Sequence, residues 1–184
     1  MSSLFFKFIF HTLLGWKIVG NYPHDVKKMV IVIGPHTSLW DYGVGVCVRN
    51  ILKFKSSYLV KAELYKNPIM AKFLTWMDGI PVDRGNKNAD VVGSVVKVYK
   101  ERDYFVLAIT PEGTRSKVRR LKTGFYRIAL AAEVPILIAG FDFKKKEVAF
   151  DELFHPTGNM EKDIDYIMNY FKRFEGKNPE LGLS

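Results

Sequence analysis

The sequence predicts an α/β fold: one domain over residues 1–184, with a mostly parallel central sheet flanked by helices. Three observations predict it. Short β-branched apolar runs recur, at 28–33 (KMVIVI), 104–110 (YFVLAIT) and 134–143 (VPILIAGFDF). Between them, apolar residues return at i, i+3, i+4 and i+7, the period of a helix face. Glycine and proline punctuate the joins. Strands that alternate with helices need crossover connections, and these make parallel sheets.

The elements follow in order. Residues 1–16 (MSSLFFKFIFHTLLGW) read as a helix whose apolar face is broad, with Lys7 and His11 interrupting it. It is too short in uncharged residues for the ~20 that a span requires. It also lacks the basic region and cleavage site of a signal peptide. Two readings stand equal: a helix lying in a membrane interface, or one packed on its own domain. Residues 28–33 are a buried strand ended by Gly34-Pro35. Val44, Cys47, Val48 and Ile51 mark a helix, and 56–64 holds a short strand. Pro68 suits the first turn of a helix over 67–77. The stretch 78–86 (DGIPVDRGN) reads as irregular. Val92, Val95, Val96 and Tyr99 place a helix at 88–102, before the strand at 104–110. Phe125, Ile128, Ala129 and Ala132 mark the next helix. The strand from 134 turns back as a hairpin at Lys144–Lys146, and Ile164, Ile167, Met168 and Phe171 mark the last helix.

Composition limits the function classes. Lysine and arginine number 28 against 19 acids, a net charge of +9. Such an excess favours anionic partners: nucleic acid, anionic lipid or phosphate-bearing substrates. The single cysteine, Cys47, excludes an intramolecular disulfide and a multi-cysteine zinc site. His11, His24 and His155 have no metal-ligand spacing with His36, so no metal is expected. Cys47 falls on an apolar helix face and reads as inert packing, and Trp40 reads as core or interface.

Ligands of open α/β sheets bind beyond the carboxyl ends of strands. Two polar stretches fall there: GPHTSLWD after 28–33, and TPEGTRS after 104–110. In the first, Ser38 and Asp41 have capping-box spacing, which accounts for Asp41 as a helix cap. The same spacing sets His36 beside a helix N-terminus, which disfavours the imidazolium. An ionised Asp41 on one ring nitrogen would leave the other as a base, the logic of a histidine–carboxylate dyad. Both readings of Asp41 stand. In the second stretch, Gly113 permits a tight turn with amides facing an anion. Arg115 can clamp a phosphate, or pair with Glu112 at the surface. Lys117, Arg119, Arg120 and Lys122 continue as a basic run. Arg84 and Lys61 read either as solvated charges or as charges turned toward the same crevice.

Four blocks then appear in order: His36-x4-Asp41, Gly79-Ile-Pro-Val-Asp-Arg84, Pro111-Glu-Gly-Thr-Arg115 and Val134-Pro-Ile. They resemble the motif blocks of the glycerolipid acyltransferases, in particular the bacterial 1-acyl-sn-glycerol-3-phosphate acyltransferases. The resemblance spans residues 34–138, and the first block departs from it with Gly34-Pro35 where many members carry an asparagine before the histidine. It implies a glycerol-3-phosphate acyltransferase-like fold and a direct O-acyl transfer. His36 would be the general base and Asp41 its support. Lys61, Arg84, Glu112, Gly113, Thr114 and Arg115 would bind the acceptor's polar head. The implied partners are a lysolipid acceptor, acyl-CoA or acyl-carrier protein as co-substrate, and an anionic membrane surface. No cofactor is implied, and the place is peripheral, at the cytoplasmic face of the membrane. The default acceptor is 1-acyl-sn-glycerol-3-phosphate, with a lyso-aminolipid as the alternative. A hydrolase using the same dyad, and a basic module binding anionic lipid or nucleic acid, are the competing functions. No nucleic-acid-binding motif accompanies the charge.

Overall fold

The computed structural model describes residues 3–83 and 90–183. A seven-stranded sheet runs through it in the order β1-β7-β6-β2-β5-β3-β4. The strands are β1 (Lys17–Val19), β2 (Lys28–Gly34), β3 (Ser57–Lys61), β4 (Gly79–Val82), β5 (Phe105–Ile109), β6 (Ile136–Asp142) and β7 (Glu147–Phe150). All pairings are parallel except β6 with β7, the hairpin expected at the lysines. The helices are α1 (Ser3–Lys7, continued by a π-helical turn over Phe8–Leu13), α2 (Trp40–Ile51), α3 (Pro68–Trp76), α4 (Val91–Glu101), α5 (Gly124–Ala131) and α6 (Met160–Phe171).

β2 sits at the centre because both its faces are apolar. Val30 and Val32 point into one core and Met29 and Ile31 into the other, the period of two that a strand imposes. The first core holds the inner faces of α4, α5 and α6: Val95, Tyr99, Phe125, Ile128, Ile167 and Phe171. The second holds α1 and α2, through Phe6, Phe10, Val44, Val48 and Ile51. The α1 segment is too short to be stable alone. Phe10 is fully buried beside Trp16, ring centroids 5.9 Å apart. Burial of such a side chain contributes ~1.5–3 kcal/mol and fixes the segment to the domain. Phe5, Phe8 and Leu13 remain exposed.

Two sequence expectations change, and one strand was not expected. The stretch read as irregular contains β4, with Ile80 opposite Leu59 and Pro81 opposite Val60. Proline lacks an N–H for a ladder, and β4 tolerates it because it is an edge strand. β1, the other edge, has only three residues and no periodicity to reveal it. The α4 helix is described from Val91, with the Asp90 side chain accepting the Gly93 N–H at 2.7 Å.

Helices α2 and α3 lie on the same face of the sheet. Connections β2–α2–β3 and β3–α3–β4 both move toward the β4 edge, and parallel crossovers are right-handed. Tyr42 of α2 meets Tyr58 of β3 edge to face at 6.1 Å. A Cβ at Gly79 would meet both Val60 and the Leu74 carbonyl of α3.

Candidate active site

β2 and β5 are parallel neighbours, with Val32 opposite Ile109. Their carboxyl ends therefore point the same way, and the loops after them meet. At the end of β2, a Cβ on Gly34 would lie 2.9 Å from the Phe171 ring, so only glycine fits without repacking. Pro35 follows across a cis bond. His36 comes next, over the mouth of a cavity.

The His36 Nδ1–H donates to Asp41 Oδ2 at 2.8 Å. The same oxygen accepts the N–H groups of Thr37 at 3.0 Å and Ser38 at 3.1 Å. The Asp41 side chain is 3% exposed. Three polar groups converge on this buried carboxylate, which lies in the first turn of α2. An ionised carboxylate only accepts, so Nδ1 carries the proton and Nε2 keeps its lone pair. The capping-box reading shifts: the cap of α2 is Leu39, with no side-chain cap bond, and Asp41 reaches back to the Thr37 and Ser38 N–H groups ahead of it. The Ser38 hydroxyl accepts the Trp40 N–H at 3.2 Å.

Glu112 was expected among the groups that bind the acceptor's head, and the structure places it behind the histidine loop. The residue is 1% exposed and its Oε1 accepts the His36 backbone N–H at 2.6 Å. Its Oε2 is buried without a hydrogen-bond partner among the described residues. Desolvation by burial raises its pKa, and the nearby Asp41 charge adds to this. The His36 N–H acts in the opposite direction but less strongly. Glu112 thus braces the histidine loop from behind and is not among the residues of the cavity wall. The Glu-Arg spacing looks the same for a brace and for a surface pair.

The cavity, about 620 Å³, runs between the sheet and α2. His36, Asp41, Gly113, Thr114 and Arg115 stand in its wall, with the last three solvent-exposed. Apolar side chains from β2, α2 and β6, including Ile31, Val48 and Phe141, line its depth. Gly113 has φ +64°, which favours glycine, and the Lys122 side chain lies across it, where a Cβ would approach Nζ to 2.6 Å. Lys61 is exposed at the carboxyl end of β3 and is not part of the cavity wall. Arg84 lies outside the described residues. Among the described residues, no group of three or more His, Cys, Asp or Glu is placed to hold a metal ion. Cys47 is half-buried against the core and burial pushes its thiol pKa up, consistent with packing. Trp40 is exposed, with the Lys177 ammonium 6.0 Å from its ring.

Some residues escaped the sequence reading. Arg49 lines the cavity while its guanidinium donates to the Ser56 carbonyl at 3.2 Å. Thr37 is buried and latched by the distant carboxyl-terminal stretch. Asn178 donates through Nδ2 to the Thr37 carbonyl at 2.8 Å and through its backbone N–H to Thr37 Oγ1 at 3.1 Å. Nothing local in the sequence signals a contact across that separation.

Over 92 residues the chain is 33% identical to the 1-acyl-sn-glycerol-3-phosphate acyltransferase of Bacillus subtilis (strain 168), covering 50% of this chain and 45% of that one. The match thus spans about half the length of that relative. The crystal structure of PlsC, the 1-acyl-sn-glycerophosphate (LPA) acyltransferase of Thermotoga maritima, superposes with a TM-score of 0.61. It covers 93% of this chain and 75% of its own at 22% identity, which shows a shared fold. The sequence model of the acyltransferase family matches residues 17–140, from β1 through the dyad and the Glu112 brace into β6. With two thirds of its length inside that match, the chain belongs to the acyltransferase family.

Proposed function

We propose that this protein transfers a fatty acyl group from a thioester donor, acyl-CoA or acyl-carrier protein, to the hydroxyl of a lysophospholipid. The acceptor is 1-acyl-sn-glycerol-3-phosphate and the product phosphatidic acid. One observation carries the reading: an oriented His36–Asp41 pair stands at the mouth of a 620 Å³ apolar cavity whose rim bears Arg115. The volume lies in the ~300–1,000 Å³ range of small-ligand sites, and apolar walls suit a hydrocarbon chain.

The chemistry needs no nucleophile from the protein. The acceptor hydroxyl gives its proton to His36 Nε2 as its oxygen attacks the thioester carbonyl carbon. Asp41 holds the resulting imidazolium in place. The C–S bond then breaks and the proton passes from Nε2 to the departing sulfur, releasing free thiol. Glu112 holds the His36 backbone, so the base does not drift from its carboxylate. Arg115, with Thr114 and the Gly113 backbone, is assigned to the acceptor phosphate, and Lys61 and Arg84 to the same anion by their motifs. The enzyme works as a peripheral protein at the cytoplasmic membrane surface. Among the described residues no helix is long and apolar enough to cross a membrane.

Purified protein incubated with each donor and a panel of lysolipids should release thiol and give phosphatidic acid, identified by mass. His36→Ala protein with an unchanged circular dichroism spectrum should be inactive. Free fatty acid as the main product would make it a hydrolase, and full activity of His36→Ala would remove the base assigned here.

A further inference from the structure

Helix α3 has apolar residues on two faces. Leu74, with Met77 just past the helix, is buried, and Met77 reaches the wall of the cavity. On another side, Ile69, Phe73 and Trp76 recur at i, i+4 and i+7 and stand 81%, 51% and 74% exposed, with Met70 beside them. A helix apolar around most of its circumference belongs in a core or against lipid. This helix has core on one side only. Its Asn67 cap, which accepts the Ile69 and Met70 N–H groups, and Pro68 at its first turn fix it as a formed helix without help from a partner.

The surroundings indicate what meets the open side. Lys66 immediately precedes the cap and Lys72 lies on the helix. Lys61 ends the strand before it. All three are exposed, and none forms an ion pair with a described carboxylate. Unpaired ammonium groups beside exposed aromatic and aliphatic side chains match an anionic bilayer interface, where headgroups meet the lysines and the apolar side chains enter the acyl layer. On the same face of the sheet, α1 exposes Phe5, Phe8 and Leu13 beside Lys7.

We propose that α3 is a membrane-seated element, its Ile69–Phe73–Trp76 face lying in the interfacial layer of an anionic bilayer. The seat places the outer wall of the cavity against the pool of acyl lipids. It rests on the proposed function only for its purpose, since the docking itself can be measured without catalysis.

The test uses the full chain and vesicles of phosphatidylcholine with or without phosphatidylglycerol. Ile69→Ser/Phe73→Ser should lower vesicle partitioning roughly 100-fold or more, from the apolar area withheld from lipid. Its circular dichroism and its turnover of short-chain, freely soluble substrates should be unchanged. Lys66→Gln/Lys72→Gln should lower binding to phosphatidylglycerol vesicles about 30-fold and leave neutral vesicles unaffected. In a Trp16→Phe/Trp40→Phe background, Trp76 fluorescence should be quenched by bilayers with brominated chains. Undiminished vesicle binding by the folded Ile69→Ser/Phe73→Ser protein overturns the proposal, as does unquenched Trp76 in vesicle-bound protein. A lipid-free dimer that the same double variant dissociates also overturns it, since the face would then be a protein interface. Vesicle binding without acyl transfer to any lysolipid would leave this proposal standing and remove the proposed function.

Discussion

Filling the cavity from α2 gives the sharpest prediction. Gly45 lies on α2 in the cavity wall, and a Cβ there would come no closer than 4.0 Å to anything, the nearest atom being on the Phe141 ring. Gly45→Leu therefore projects four carbons into the cavity without displacing backbone. A bound acyl chain would lose the burial of about four methylenes. At ~0.8 kcal/mol each this is about 3 kcal/mol, or roughly 200-fold in kcat/KM for a chain long enough to reach the blocked part. Chains shorter by that length should keep their rate. Stability should move the other way, because leucine is a better helix former than glycine by ~0.5–1 kcal/mol. Gly43, exposed with nothing within 4 Å, supplies the control: Gly43→Leu should gain the same stability and alter no preference. The assay is thiol release over a donor series, beside thermal melts of all three proteins. Equal loss for short and long donors in Gly45→Leu, or an unchanged preference, would refute the placement of the acyl chain in this cavity.

Asp41→Asn should leave the fold and KM nearly unchanged and lower kcat ~10³–10⁴-fold, because a neutral amide neither fixes the base nor stabilises its imidazolium; steady-state kinetics check this. Glu112→Gln keeps an acceptor for the His36 N–H and removes a buried ionisable group. Since burial raises the folded pKa above the unfolded value, wild type should lose stability relative to this variant as pH rises through the folded pKa. Urea midpoints of the pair at pH 4 and pH 8 test it, and a relative gain by wild type at pH 8 would mean that Glu112 is held ionised. Asn178→Ala removes the side-chain donor to the Thr37 carbonyl, at a cost of about 1–2 kcal/mol or a Tm lower by ~3–6 °C, and should lower kcat more than it changes KM.

Much of this was readable in the sequence because the informative residues are local. Val30, Val32, Met29 and Ile31 declare a doubly buried strand by composition alone. His36 and Asp41 are five positions apart, and one loop and one helix turn suffice to join them. Short or isolated signals failed. β1 has too few residues for a period, and in β4 the proline that argues against a strand is allowed by an edge known only once the strand order is known. Glu112 was ambiguous for a different reason. Its motif marks it as important, yet whether its carboxylate faces solvent or the histidine loop depends on how β2 and β5 are registered. The exposed side of α3 was equally hidden, because Ile69 and Leu74 are both apolar and only packing tells which one is covered.

The Thr37–Asn178 latch has a consequence for how the protein is made. The two partners are 141 residues apart in the chain. At ~5–20 residues per second of translation, Asn178 is synthesised roughly 7–28 s after Thr37. Through that interval the histidine loop already has its base and carboxylate but lacks its last two tethers. The nascent histidine loop is thus loosely held until Asn178 emerges, after every strand of the described sheet has been made.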